Sequence, residues 1–186
     1  IKLCEEALSC GITVRYCFFT EATAAIALAE RLPEDVRIPT TDAVIEKLSE
    51  AKTPQHIVMV AEIPAREQTA ISGQTVLALD GIADPANLGS ILRTAEAFGV
   101  TDVLCSDQTV DLYSTKVLRG AMGSSFRVRV HRTDFLSALP ALRERGYRLL
   151  ATGLRGETKN LRRIDFARKT VVVIGNEGNG VRDEIF

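Results

Sequence analysis

The sequence predicts an α/β fold with a parallel sheet, preceded by a smaller α/β unit, on three observations. Short apolar runs of strand length alternate with segments whose apolar residues recur every three or four positions, as strands joined by crossover helices would. One run, Val171-Val172-Val173-Ile174, is wholly β-branched, the composition of a strand buried on both faces. Residues 75–100 form a complete strand–turn–helix unit: a strand at 76–79, a turn at 80–85, and a helix at 86–98 with Leu88, Ile91, Leu92, Ala95 and Phe98 on one face. Units of this kind close into a parallel sheet with right-handed crossovers.

Residues 1–10 read as the end of a helix, with Leu3, Ala7 and Leu8 at helical spacing and Gly11 to stop it. Residues 14–19, rich in aromatic and β-branched side chains, read as a strand. Thr20 to Thr23 offers caps for a helix running to residue 32. The connector at 33–39 has room for a small strand at 36–38. Thr40-Thr41-Asp42 starts a helix at 43–51, and residues 57–61, IVMVA, form a second clear strand. Periodicity is lost over residues 62–74, where Pro, Gly, Ser and polar residues gather. A boundary there gives a small domain at 1–66, a linker at 67–74 and a larger domain at 75–186; a surface loop within one domain is the alternative.

In the larger domain, Asp84 suits an N-cap, Pro85 a first helical turn and Gly99 a helix stop. A short strand at 102–105 and a helix at 113–120, opened by Ser114-Thr115 and closed by Gly120, come next. Residues 126–131 alternate, with Val128 and Val130 opposite Arg127 and Arg129, as in a half-covered strand. An amphipathic helix at 134–145 stops at Gly146, and residues 147–152 form another strand.

With 186 residues, 46% apolar and 25% charged, the chain has the composition of a soluble globular protein. At that size it buries roughly 70% of its unfolded surface and needs neither disulfide nor metal. No apolar run approaches the roughly 20 residues of a membrane span. The chain begins at Ile1 rather than Met, so the natural N-terminus is expected upstream. Cys4, Cys10, Cys17 and Cys105 form no C-x-x-C pair and only His56 and His131 could join them, so no metal site is expected; separate thiols in a reducing cytoplasm are.

The net charge of −1 argues against a nucleic-acid partner, but its distribution does not. Between Lys116 and Lys169 stand 14 basic and 4 acidic residues, a local positive field suited to a phosphate backbone. A solvated basic face with no partner is the alternative.

Ligands of open parallel sheets bind beyond the carboxyl ends of the strands. Three bends there carry glycine or polar groups: residues 80–87, 152–156 and 175–180. The last, G-N-E-G-N-G, is not a dinucleotide fingerprint, and no phosphate-cradling G-x-x-x-x-G-K-[ST] occurs, which argues against an oxidoreductase or an ATPase. Taken alone it reads equally well as a tight turn. Asn87 at the helix mouth and Arg93, off the apolar stripe, are not demanded by packing; a helix cap and a surface arginine are their ordinary alternatives.

Two segments carry a resemblance. D-x-x-x-D-P-x-N-x-G-x-x-x-R-T-A, starting at Asp80, is similar to the first motif of the SpoU/TrmH branch of SPOUT RNA methyltransferases, and VVVIGNEGNGVRDEI, about ninety residues on, resembles the second. The resemblance implies a trefoil-knotted parallel-sheet domain that binds S-adenosylmethionine and methylates a ribose 2′-hydroxyl of structured RNA, ribosomal before transfer RNA, as a cytoplasmic homodimer. It assigns Asn87, Arg93 and Glu177 to catalysis. Arg93 acts as orienter and electrostatic stabiliser, with direct proton abstraction left open, and Asn87 and Glu177 hold it. Thr152, Gly153 and Leu154, with Gly175, Asn176 and Gly178, are assigned to the cofactor. Arg93, Lys116, Arg119, Arg127, Arg129, Arg162 and Arg163 are the candidates for RNA contact. Residues 1–62 are similar, less specifically, to the small RNA-binding domain that precedes the knot in many members. The third motif is absent because the sequence stops at Phe186; a chain cut short, with an incomplete knot, is the expectation, and a non-catalytic RNA-binding module of the same fold is the alternative.

Overall fold

A computed structural model describes residues 1–64, 70–153 and 158–185. The chain packs as two compact units, Ile1–Glu67 and Gln68–Phe186.

In the first unit, α1 (Lys2–Ser9) leads through Gly11, at φ +70°, into β1 (Val14–Phe19). Helix α2 (Thr23–Ala29), β2 (Arg37–Pro39), α3 (Asp42–Leu48) and β3 (Ile57–Ala61) follow. The strands order β2-β1-β3, with β1 parallel to β2 and antiparallel to β3. Val14, Cys17, Ala25, Leu28, Ala29 and Ile57 make its core. Two helices are shorter than the apolar pattern predicts: α2 ends at Ala29 rather than 32, and α3 at Leu48 rather than 51. Nor do threonine side chains cap α2. Ala22 holds the N-cap position, and the Thr20 hydroxyl accepts only from the Ala22 N–H, at 3.5 Å. The cysteines are free thiols, and burial pushes Cys17 up to about 11 and Cys105 to about 12.

The second unit is a five-stranded sheet with every neighbouring pair parallel, in the order β6-β5-β4-β8-β7. Its strands are β4 (Thr75–Asp80), β5 (Asp102–Cys105), β6 (Arg129–Arg132), β7 (Arg148–Ala151) and β8 (Thr170–Gly175). Alternation along β4 feeds two cores. Leu79 packs with Leu88, Leu92 and Ala95 of α4 (Pro85–Ala97) and Val117 and Ala121 of α5 (Thr115–Ala121). Val76 and Ala78 pack with Phe135, Leu139 and Leu142 of the helix Phe135–Glu144, here α7, and with Val171 and Val173 of β8. A short helix, α6 (Ser124–Arg127), lies between α5 and β6. Each fully buried aliphatic side chain contributes about 1.5–3 kcal/mol, which is why these stripes decide the layering. No helix among the described residues is long and apolar enough to cross a membrane.

Three local expectations are corrected. Gly120 does not end its helix. It lies against Gly89, where an added Cβ would stand 2.9 Å from the Gly120 backbone, and the pair of glycines lets α4 and α5 touch main chain to main chain. The helix ends instead at Met122 and Gly123, both left-handed, at φ +53° and +90°. Phe126 and Arg127 belong to α6, so the alternating strand begins only at Arg129. Phe98 is 83% exposed, because α4 stops at Ala97 and its buried stripe is complete with Leu88, Leu92 and Ala95.

At the amino edge of this sheet Asp102, the first residue of β5, is fully enclosed. Its Oδ1 accepts from Arg129 Nε at 2.9 Å and lies 3.2 Å from His131 Nε2. Its Oδ2 accepts from Arg129 Nη2 at 2.7 Å and from the Gly73 N–H at 2.9 Å. Burial pushes this carboxyl up, but the hydrogen bonds from Arg129, His131 and Gly73 and the Arg129 charge outweigh it and hold it well below the usual range.

Candidate active site

The central strands β4 and β8 lie side by side, and their successors diverge: β4 leads toward β5 and β6, while β7 lies beyond β8. That reversal of strand order marks the carboxyl edge between β4 and β8 as the position where parallel sheets take ligands. The bends at 80–87 and 175–182 meet there.

The second bend is a closed ring. Asn176 and Gly180 exchange backbone hydrogen bonds at 3.0 and 2.9 Å, and Asn176 Oδ1 accepts from the N–H groups of Gly178 and Asn179 at 2.9 and 3.1 Å. Gly175 has to be glycine, since a Cβ there would stand 2.0 Å from the Gly180 carbonyl carbon. The ring is fastened to the first bend by side chains. Asn176 Nδ2 donates to the Gly81 carbonyl at 2.8 Å. Glu177 Oε1 accepts from Asn87 Nδ2 at 2.8 Å and from the Asp84 N–H at 3.2 Å, and its Oε2 accepts from the Ala83 N–H at 3.2 Å.

Glu177 therefore sits at the amino end of α4, where unpaired N–H groups and the helix dipole favour an anion. Asp84 occupies the cap itself and accepts from the Ala86 N–H at 2.7 Å, with Pro85 at the first helical position. The hydrogen bond from Asn87, then those from backbone N–H groups including Ala83 and Asp84, outweigh desolvation and lower the Glu177 carboxyl to about 2. It is an exposed but committed carboxylate.

Arg93 is six residues beyond Asn87, about 120° around the helix axis from it. It is exposed, and it makes no hydrogen bond or ion pair among the described residues. The structure thus brings Asn87, Asn176 and Glu177 together but does not place Arg93 in their grip. They hold each other and the two bends.

Thr152 hydrogen-bonds the Val173 carbonyl through both its N–H, at 2.9 Å, and its hydroxyl, at 3.1 Å. With Gly153 it lines a cavity of about 1080 Å³ beside β7, walled also by Leu139, Leu149, Val172 and Ile185. Gly175, Asn176 and Gly178 do not line that cavity, and Leu154 lies outside the described residues.

The expected RNA contacts divide into two groups. Arg127 is tied to the Glu96 carboxylate of α4, and Arg129 forks Asp102; both spend their charge inside the fold. Lys116 and Arg119 on α5, and Arg162 and Arg163 in the 3-10 turn Leu161–Arg163, are exposed and make no ion pair among the described residues.

One pair escaped the sequence reading. Asp80, the last residue of β4, is 1% exposed and accepts from Arg182 twice: from the backbone N–H at Oδ2, 3.0 Å, and from Nε at Oδ1, 2.9 Å. Each residue lies within one of the two motifs, but they stand 102 positions apart, and no local pattern couples them.

Residues 74–186, which hold both bends and every group just described, match the SpoU rRNA Methylase family. The chain belongs to that family. It is 34% identical over 134 residues to the 23S rRNA (guanosine(2553)-2′-O)-methyltransferase of Bacillus subtilis, covering 72% of this chain and 53% of the relative. It is 42% identical over 111 residues to a 23S rRNA (guanosine-2′-O-)-methyltransferase of Pseudomonas aeruginosa, covering 58% and 43%. Among solved structures, the AdoMet-bound rRNA methyltransferase from Sinorhizobium meliloti superposes with a TM-score of 0.85 at 28% identity, over 100% of this chain and 72% of that one. The chain spans about half the length of the curated relatives it matches. For a SpoU-family member, the Asn87–Glu177 junction is one of three places where the first and second motifs touch, with Asn176–Gly81 and Arg182–Asp80.

Proposed function

We propose that the chain takes part in S-adenosylmethionine-dependent methyl transfer to a ribose 2′-hydroxyl of structured RNA, ribosomal RNA ahead of transfer RNA. The observation that carries this reading is the junction of the two bends: the Glu177 carboxylate and Asn87 lock at the start of α4, six residues before a free Arg93. Relatives named as guanosine 2′-O-methyltransferases of 23S rRNA, and of tRNA in Thermus thermophilus, support the reaction class. An AdoMet-bound neighbour supports the donor. The same reading takes in a small RNA-holding first domain, a trefoil knot in the second, a homodimer and a cytoplasmic location, each resting on the family.

Thr152, Gly153, Gly175, Asn176 and Gly178 are the residues that would hold the donor. The ring fits such a role because Gly180 has nothing, and Gly178 only the Asn176 Oδ1, within 4 Å of where a Cβ would stand, so a ligand can approach the main chain there closely. When bound, S-adenosylmethionine supplies an electrophilic methyl group. The chain's own residues must align a weakly nucleophilic hydroxyl and stabilise the charge that grows on it. Arg93 is suited to both tasks, since an uncommitted guanidinium forks a phosphate and favours a developing alkoxide. It is a poor base, being almost never deprotonated. Glu177 is no better, with its carboxyl at about 2 and both oxygens occupied; it is a positioning residue. Alignment is worth about 7–11 kcal/mol and a general base about 10²–10⁴-fold, so the loss of a distinct base is affordable.

The test is methylation of total RNA with a radiolabelled donor, followed by mapping of the labelled ribose. Arg93→Ala is expected to keep donor binding and to lose methyl transfer by about 10²-fold or more. Unchanged turnover in that variant removes the role assigned to Arg93. A wild-type chain that binds RNA but no donor moves the assignment to a non-catalytic RNA-binding module.

A further inference from the structure

We infer that Arg182, paired with buried Asp80, is a positioning residue for the glycine ring, setting where Glu177 and the main chain of residues 175–180 stand against the first bend. This rests on the reading of the ring as part of the donor site. Four contacts hold the ring: Val181 in the core, Asn176 on Gly81, Glu177 on the α4 terminus, and Arg182 on Asp80. Only the last pairs two full charges, one of them withdrawn from water. The Asp80 side chain is 1% exposed and that of Arg182 33%.

Arg182 grips through its main chain and its side chain at once, one to each carboxylate oxygen. The two bonds fix the backbone at the point where the chain leaves the ring. From there it enters the 3-10 turn Asp183–Ile185, and Asp183 and Ile185 wall the cavity that Thr152 and Gly153 also line. Without the guanidinium, Asp80 would be an uncompensated charge directly beneath the ring, and admitting water to it would lift the ring from its seat.

A purely structural ion pair would lower stability without moving the site, and the molecule contains the control. Asp102–Arg129 is the same pair of residue types with nearly the same exposure, 0% and 40%, in the same sheet but at its opposite edge. Arg182→Gln and Arg129→Gln are therefore compared for thermal midpoint, amide exchange at Ala83, Asp84, Gly178 and Asn179, and S-adenosylmethionine affinity.

Both variants are expected to melt lower. Arg182→Gln is expected to speed exchange at those four amides, and to weaken S-adenosylmethionine binding, by about tenfold each, with Arg129→Gln staying within about twofold. Equal effects from the two variants, or no effect from Arg182→Gln, overturn the inference. If Arg182→Gln does not fold, Arg182→Lys, which keeps the charge and loses the Nε donor, carries the same comparison: exchange at wild-type rates overturns it. A wild-type chain that binds no S-adenosylmethionine sinks the donor-site reading alone, because the exchange measurements still decide whether Arg182 holds the ring.

Discussion

The two edges of the five-stranded sheet use one device for different ends. At the amino edge, Asp102 is enclosed by Arg129, His131 and backbone N–H groups, and nothing is left over. At the carboxyl edge, Asp80 and Arg182 make a similar pair, but beside it lie a ring whose Gly178 and Gly180 leave main chain uncovered and a carboxylate spread over a helix terminus. A buried aspartate–arginine pair is thus no mark of function. Uncovered main chain and an exposed carboxylate beside it are what separate a site from a structural clamp.

The largest expected effect strikes the carboxyl edge. Gly175→Ala forces a methyl into the Gly180 main chain, which cannot yield as a side chain would; about 3 kcal/mol or more of stability should be lost, together with donor binding, by urea unfolding and calorimetry. Next, Asp102→Asn should cost about 2–3 kcal/mol, below the figure for fully buried pairs because Arg129 is partly exposed, and should leave donor affinity unchanged. A change in donor affinity there would erase the distinction between the edges.

Acid sharpens the contrast at lower amplitude. Glu177 has a folded value near 2 against an ordinary 4.5, so its contribution to stability is complete above about pH 4.5 and fades as pH falls toward 2. Glu177→Gln should flatten the thermal midpoint over that interval and leave the Asp102 contribution in place. The smallest effect concerns RNA. Arg119→Ala should reduce the salt slope of binding by roughly 0.7–0.9, whereas Arg127→Ala, whose charge is already spent on Glu96, should leave the slope unchanged.

Much of this was readable wherever the cause is local. The β-branched run at 171–174 became β8, and Asp84-Pro85 became the cap and first turn of α4, because composition and cap chemistry act within a few residues. Alternation misled at Phe126 and Arg127, where the left-handed pair Met122–Gly123 starts a helical turn that period-two counting does not register. The meeting of Asn87 with Glu177 was visible only through the resemblance, since the two are 90 residues apart. The commitments of Arg127 and Arg129 were invisible for the same reason: their carboxylates lie 31 and 27 residues away. Charge counted along a chain says how many cations there are, and only the fold says which are free.

The self-closure of residues 176–180 has a thermodynamic corollary. Fixing the backbone of one residue costs about 1–2 kcal/mol at 25 °C, so a five-residue loop ordered only on ligand arrival would subtract on the order of 5–10 kcal/mol from affinity. Here the loop's own amides are satisfied within the folded chain, and that entropy is surrendered during folding. A ligand landing on such a surface meets a preorganised template, and its affinity should depend more on desolvation and shape than on the loop's flexibility.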